Sequence, residues 1–281
     1  MSKLLLGLIG AGIQRSMSPA LHEEEGRHHG LRVHYQLIDL DAAGVSTEAL
    51  PGLIQAARVM GFAGLNITYP CKQLVIPLLD DLSEEARAIG AVNTVVREGK
   101  RLVGHNTDAA GWAWGFERAL PTADLSRVVL LGAGGAGAAV GYAALGLGVS
   151  ELTIFDVDAS RAAALADNLR GNFRGREIAP AKDLQGAMRS ATGLIHCTPK
   201  GMTGQAGMPL DESLLRPSLW VSEIVYVPLE TELLKAARRV GCATADGGHM
   251  NVGQAIRGFK LFTGRDADAA RMEAQFRQLA A

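Results

Sequence analysis

"RVVLLGAGGAGAAVGYAALGLGVSELTIFDVDASRAAALADNL", residues 127–169, reads as strand, glycine turn, helix, strand, helix. Val128 to Leu131 lead into Gly132, Gly134 and Gly137, a GxGxxG pattern, and a helix of small residues follows. Two strands joined through a helix run parallel, with a right-handed crossover. Gly132 allows the tight turn, Gly134 lets the backbone approach a pyrophosphate, and Gly137 lets helix and strand pack closely. The loop Gly132, Ala133, Gly134, Gly135, Ala136 and Gly137 then offers the N–H groups of a helix N-terminus to phosphate. Asp156 ends the second strand, 19 residues past Gly137. A carboxylate there accepts hydrogen bonds from the adenosine ribose and repels a 2′-phosphate, so the pattern predicts NAD in preference to NADP. Asp158 adds a second negative charge. Arg161 stands three residues further on and is expected to point along the following helix.

The same alternation extends in both directions. "KLLLGLIG" is an apolar strand, and "SPALHEEEGRHHG" opens a helix with Ser18 as the expected N-cap and Pro19 at the first helical position. "VHYQLIDL" and "FAGLNIT" read as strands, "STEALPGLIQAARVMG" and "SEEARAIG" as helices, and "AVNTVVREGKRLVGHNTD" as a hairpin. Beyond the glycine loop, "GLIHCTP", "LWVSEIVY", "TELLKAARRVG" and "CATADGG" continue the pattern, and the C-terminal "NVGQAIRGFKLFTG", from Asn251, and "DADAARMEAQFRQLAA" are helical. The expected fold is α/β in two units, residues 1–110 and a doubly wound dinucleotide-binding unit over 111–251.

Composition agrees with a packed protein. The 281 residues are 48% apolar and 20% charged, enough to build a sizeable core, and 34 are glycine. A net charge of −1 points away from nucleic acid and from an anionic membrane surface. Cys71, Cys197 and Cys242 are scattered and odd in number, which suggests neither a disulfide framework nor a zinc cluster. The apolar start "LLLGLIG" is too short for a secretory segment, and the protein is expected to be cytoplasmic. His22, His28, His29 and His34 match no metal-ligand spacing and read as surface histidines, so no metal is expected. The acidic run Glu23 to Glu25 reads as lying in the first turns of its helix, where it favours the dipole. Trp112 and Trp114, two residues apart, cannot share a helix face.

Lys72 sits in "GLNITYPCKQ" (64–73), just past a strand, and Asp108 closes the hairpin segment in "GHNTDAAG". An ammonium and a carboxylate sharing a proton network suit acid–base work on a hydroxyl while hydride moves to nicotinamide. Spacing alone leaves each open to being an ordinary surface charge.

"GIQRSMSPALH", "GLNITYPCK", "GAVNT", "GHNTDAAG", "GAGGAG", "EIVYVP" and "GGHMNVGQA", in this order, resemble the shikimate dehydrogenase family, including its quinate/shikimate branch. The resemblance covers nearly the whole chain. It implies NAD(P)-linked oxidation of shikimate to 3-dehydroshikimate by a substrate domain and a Rossmann domain, with residues 252–281 packing back on the first. It implies further that Lys72 and Asp108 form the catalytic pair. Ser16 and Ser18 would bind the substrate carboxylate, with Tyr226 near it, and Thr68, Asn93 and Gln254 would bond the ring hydroxyls. Short neutral donors and acceptors suit a polyhydroxylated acid, because a site built to bond hydroxyls rejects analogues lacking them.

Departures bear on specificity. NADP-using members typically carry Asn-Arg-Thr/Ser at the second strand end, where this chain has Asp156, Val157 and Asp158. His196 stands where the family often has asparagine, Glu223 replaces a common aspartate, and Asn251 stands at a usually apolar position. Quinate or aminoshikimate as substrate stays open, as does a monomer or a homodimer. A metabolite sensor without turnover is the alternative of another class, and the acid–base pair argues against it.

Overall fold

After its exposed first residue, β1 (Lys3–Gly10) is apolar because both of its faces are covered. Leu6 and Leu8 face one cluster with Ile13, Tyr35 and Phe262. Leu5 and Ile9 face the other, with Leu50, Ile54, Leu65, Ile67 and Val95. Side chains alternate along a strand, so a strand buried on both faces loses the polar alternation of an exposed one. The computed structural model describes residues 3–280. The chain forms two units, one running through Thr107 and resuming over Gln254–Leu279, the other spanning Asp108–Gly253.

The first unit runs β1, α1 (Ser18–His28), β2 (Arg32–Asp39), α2 (Leu40–Ala43), α3 (Leu50–Met60), β3 (Gly64–Ile67), β4 (Asp81–Leu82), α4 (Glu84–Ile89), β5 (Thr94–Glu98) and β6 (Arg101–His105). Its six-stranded sheet has the order β2-β1-β3-β5-β6-β4. β1 is parallel to β2 and β3, whereas β5 is antiparallel to both β3 and β6. α3 buries Leu50, Ile54 and Ala57, one face at helical spacing, and stops at Gly61, whose φ of 80° suits glycine.

The second unit runs α5 (Asp108–Ala119), β7 (Arg127–Leu131), α6 (Gly135–Gly146), β8 (Glu151–Phe155), α7 (Ala159–Asn172), β9 (Glu177–Pro180), α8 (Leu184–Ser190), β10 (Gly193–His196), β11 (Trp220–Glu223), α9 (Glu232–Val240) and β12 (Ala243–Ala245). Its sheet, β12-β11-β10-β7-β8-β9, is parallel throughout. This is the doubly wound order, and its switch point lies between β7 and β10, where ligands of such sheets bind. α10 (Gly247–Thr263) and α11 (Ala269–Ala280) close the chain. None of the described helices is long and apolar enough to cross a membrane.

The C-terminal residues of the first unit are stitched to its beginning. Arg271 donates to both oxygens of Glu25 at 2.7 and 2.8 Å, and Gln275 donates to the carbonyl of Ala20 at 2.8 Å. Burial alone would raise the Glu25 carboxyl. Arg271, the N–H of Asp268 and His29 outweigh it and hold the group below the usual carboxylate range.

Several local expectations need correction. Ser18 is the first residue of α1 and not its cap; Met17 holds the cap position and no side chain caps the helix. Glu23 to Glu25 lie in its second turn, within the expected span, and none is in the first. Glu25 is there because its carboxylate meets Arg271, not because of the dipole. His22 is fully buried, and its ring stacks on Tyr35 and Phe259. α10 starts at Gly247, four residues before the expected Asn251. Of the two tryptophans, Trp112 is buried and donates to Ser222 at 3.0 Å, while Trp114 is half-buried under Arg118.

Candidate active site

In the first unit, sheet topology gathers the predicted substrate residues at one end. Ser16 and Ser18 follow the C-terminal end of β1, and Thr68 and Lys72 follow that of β3, which is parallel to it. Asn93 immediately precedes β5, which is antiparallel to β3, so it falls at the same end. Thr107 follows β6 and joins them there. The backbone ties these loops together: Thr68 N–H donates to Ile9 at 2.9 Å, Val92 N–H to Lys72 at 2.9 Å, and Ala11 N–H to Tyr69 at 2.9 Å. Ser16 Oγ accepts from Ser18 N–H at 3.3 Å. Gly10 is required at the end of β1, because a Cβ there would lie 2.3 Å from Thr68 Cγ2 and 3.0 Å from the Tyr69 carbonyl. Gln254 lies on α10 one turn before Gly258, and that glycine packs against His22 and Asn66.

Asn93 is buried and its amide orientation is set by its neighbours. Oδ1 accepts from Thr107 N–H at 2.7 Å and from Thr94 Oγ at 3.0 Å, and Nδ2 donates to Thr107 Oγ at 2.9 Å. Behind it, Tyr35 O–H donates to Asn66 Oδ1 at 2.7 Å, and Asn66 Nδ2 donates to Thr94 Oγ at 3.0 Å. Asn66, Thr94, Thr107 and Tyr35 escape a reading of the sequence. A lone asparagine inside the buried strand "GLNI" is the available signal, since a buried amide demands partners.

In the second unit Tyr226 and the glycine loop also stand at the C-terminal ends of strands, whereas Asp108 stands at a helix start. Asp108 is buried and begins α5, where a carboxylate suits the helix N-terminus. Tyr226 follows β11 and is half-buried. The glycine loop joins β7 to α6, and Gly134 holds the cap position of that twelve-residue helix with no side-chain cap. A Cβ on Gly137 would lie 1.9 Å from the Gly132 carbonyl oxygen, and one on Gly132, whose φ is 98°, would lie 2.8 Å from the carbonyl of Cys197. The loop therefore has the bare backbone and uncapped N–H groups that fit a pyrophosphate.

Asp156 does more than terminate β8. Its Oδ2 accepts from Ala133 N–H at 2.7 Å and its Oδ1 from Asp158 N–H at 3.0 Å, so it braces the glycine loop. A carboxylate has about four acceptor positions, which leaves capacity for ribose hydroxyls. Asp158 caps α7, and the hydroxyl and N–H of Ser160 hold its carboxyl below the usual range. Arg161 does not simply follow α7: one of its terminal nitrogens comes within 3.2 Å of where a Cβ on Gly134 would stand. The guanidinium thus lies over the glycine loop, because the first turn of α7 faces that loop across the strand ends.

A family model described as the shikimate dehydrogenase substrate binding domain matches residues 8–95. The shikimate dehydrogenase (NADP(+)) of Streptomyces avermitilis is 57% identical over 278 residues, spanning 98% of this chain and 96% of that protein. The chain belongs to the shikimate dehydrogenase family. Another relative, the quinate/shikimate dehydrogenase (NAD(+)) of Corynebacterium glutamicum (strain R), is 47% identical over 280 residues, 98% of this chain and 99% of that one. Among solved structures, quinate dehydrogenase from Corynebacterium glutamicum in complex with NAD matches with a TM-score of 0.89 and 46% identity, covering 99% of this chain and 100% of the other. As a shikimate dehydrogenase family member, the protein is an NAD(P)-dependent oxidoreductase acting on a CH–OH group.

Proposed function

We propose that the protein oxidises shikimate reversibly to 3-dehydroshikimate with NAD, using Lys72 and Asp108 to handle the proton. The observation that carries this reading is the convergence of Ser16, Ser18, Thr68, Lys72 and Asn93 at one end of the first unit's sheet. One ammonium among short neutral hydrogen-bonding groups suits an acid with several hydroxyls. A bound dinucleotide would supply the acceptor for hydride from the ring carbon. Lys72 Nζ takes up the hydroxyl proton, and the Asp108 carboxylate stabilises the charge that proton brings. Ser16 and Ser18 hold the substrate carboxylate, with Tyr226 beside it, and Thr68, Asn93 and Gln254 bond the ring hydroxyls.

NAD is favoured over NADP because Asp156 and Asp158 put two carboxylates at the end of β8, with apolar, 96%-exposed Val157 between them. Asp156 is fixed there by two loop amides and cannot swing away from a 2′-phosphate without breaking them. Quinate is the second reading, favoured by the NAD-linked quinate/shikimate relative at 47% identity. A cytoplasmic setting goes with either substrate. Lys72→Ala tests the proton role: turnover falls by about 10²–10⁴-fold while NADH binding stays within about twofold. Turnover near the parent level in that variant would remove Lys72 from the chemistry.

A further inference from the structure

At the C-terminal ends of β10 and β11, His196 and Glu223 are register partners on neighbouring strands. His196 Nδ1 lies 2.9 and 3.0 Å from the two carboxylate oxygens, and both side chains are fully buried. The direction of each hydrogen bond in this cluster can be worked out. Val225 N–H donates to Glu223 at 3.0 Å. Thr231 Oγ accepts from Leu234 N–H at 3.2 Å as the cap of α9, so its own proton goes to Glu223, 3.1 Å away. Glu223 is therefore an acceptor throughout, and His196 carries its proton on Nδ1, a tautomer assigned from these partners. In that tautomer Nε2 accepts, and the group facing it at 2.5 Å is the Thr198 hydroxyl.

Thr198 is not an incidental partner. Its Cγ2 lies 3.0 Å from where a Cβ on Gly132 would stand, so it leans on the first glycine of the dinucleotide loop. It follows β10, the strand that borders β7 at the switch point of the sheet. With its proton directed to His196, Thr198 Oγ presents lone pairs, one of them toward Lys200 N–H at 3.3 Å. A pair serving only to hold two strands together has no need of charge, since well-packed apolar residues do that as well or better.

We propose that His196 and Glu223 are positioning residues that turn the Thr198 hydroxyl into a fixed hydrogen-bond acceptor for a hydroxyl or amide N–H of the bound dinucleotide. The proposal rests on the dinucleotide-binding reading of the second unit. NADH binding, followed by dihydronicotinamide fluorescence without substrate, tests it on the parent and on Thr198→Val, Thr198→Ser, His196→Asn and the Thr198→Val/His196→Asn double variant. Thr198→Val, nearly isosteric, weakens NADH about tenfold, the worth of one hydrogen bond. Thr198→Ser stays within about twofold. His196→Asn weakens binding in the parent background but adds nothing to Thr198→Val, because both remove the same contact. Parent-like NADH binding by Thr198→Val, or full additivity in the double variant, overturns the proposal. If His196→Asn does not fold, His196→Gln takes its place in the cycle with the same expected outcome. A parent protein that binds no NADH fells the dinucleotide reading itself, and the proposal with it.

Discussion

Acid should weaken this protein in part through one ring. His22 is fully buried among Tyr35, Phe259 and Phe262, at centroid distances of 5.1, 6.2 and 5.7 Å, and neither of its nitrogens has a hydrogen-bond partner among the described residues. Burial lowers its pKa from 6.5 to about 4, with the charge of Glu25 pulling the other way. Below pH 6.5 the unfolded chain therefore binds a proton that the folded chain refuses until about pH 4. The stability is present in full above about pH 6.5 and is lost as pH falls toward about 4. At about 1.36 kcal/mol per pH unit the loss is capped at about 3 kcal/mol, of which about 2 kcal/mol falls between pH 7 and pH 5. His22→Leu keeps an apolar side chain of similar volume and removes the titration. Urea unfolding of parent and variant at pH 7 and pH 5 isolates the effect, because His105 and Glu25 titrate in both proteins and cancel. Far-ultraviolet circular dichroism is the proper probe, since Trp112, Trp114 and Trp220 all belong to the second unit. The variant should lose about 2 kcal/mol less than the parent over this interval. Parallel losses would show that His22 titrates as if solvated and would refute the reasoning.

Two further substitutions probe the packing. Gly137→Ala sets a methyl 1.9 Å from the Gly132 carbonyl, and should abolish NADH binding and cost about 3 kcal/mol in denaturant unfolding. Gly146→Ala, at the far end of the same helix with nothing within 4 Å, should cost nothing and add up to about 1 kcal/mol. Arg271→Ala leaves the 1%-exposed Glu25 carboxylate without its guanidinium and should cost about 3 kcal/mol at pH 7. That cost should shrink as pH falls through the depressed Glu25 pKa, because the carboxyl then needs no cation; a pH-independent loss would argue for lost packing alone.

Much of this fold could be read in advance because its signals are local. The run Val128 to Leu131, the bare glycines after it and Asp156 at the next strand end specify a unit whose chemistry is carried by the backbone. What stayed hidden depends on partners distant in sequence. His22 sits in the polar run "HEEEGRHH" and looked solvated, yet Phe259 and Phe262, more than 200 residues away, complete its box. Glu25 looked like a dipole residue because Arg271 is 246 positions on. His196 and Glu223 were each visible as departures, but only strand register makes them a pair. Roles for Ser16, Thr68 and Asn93 came from family resemblance. Their gathering at one sheet end follows from strand directions, which no single segment reveals.

The central claim is tested most directly by initial rates of oxidation of shikimate and of quinate, each with NAD and with NADP, on the purified protein. Shikimate turned over with NAD, at a kcat/KM at least about tenfold above that with NADP, is the expected result, consistent with about 1.4 kcal/mol of repulsion between Asp156 and a 2′-phosphate. NADP used as well as NAD would contradict the role given to Asp156, and no turnover of either acid with either dinucleotide would contradict the substrate assignment itself.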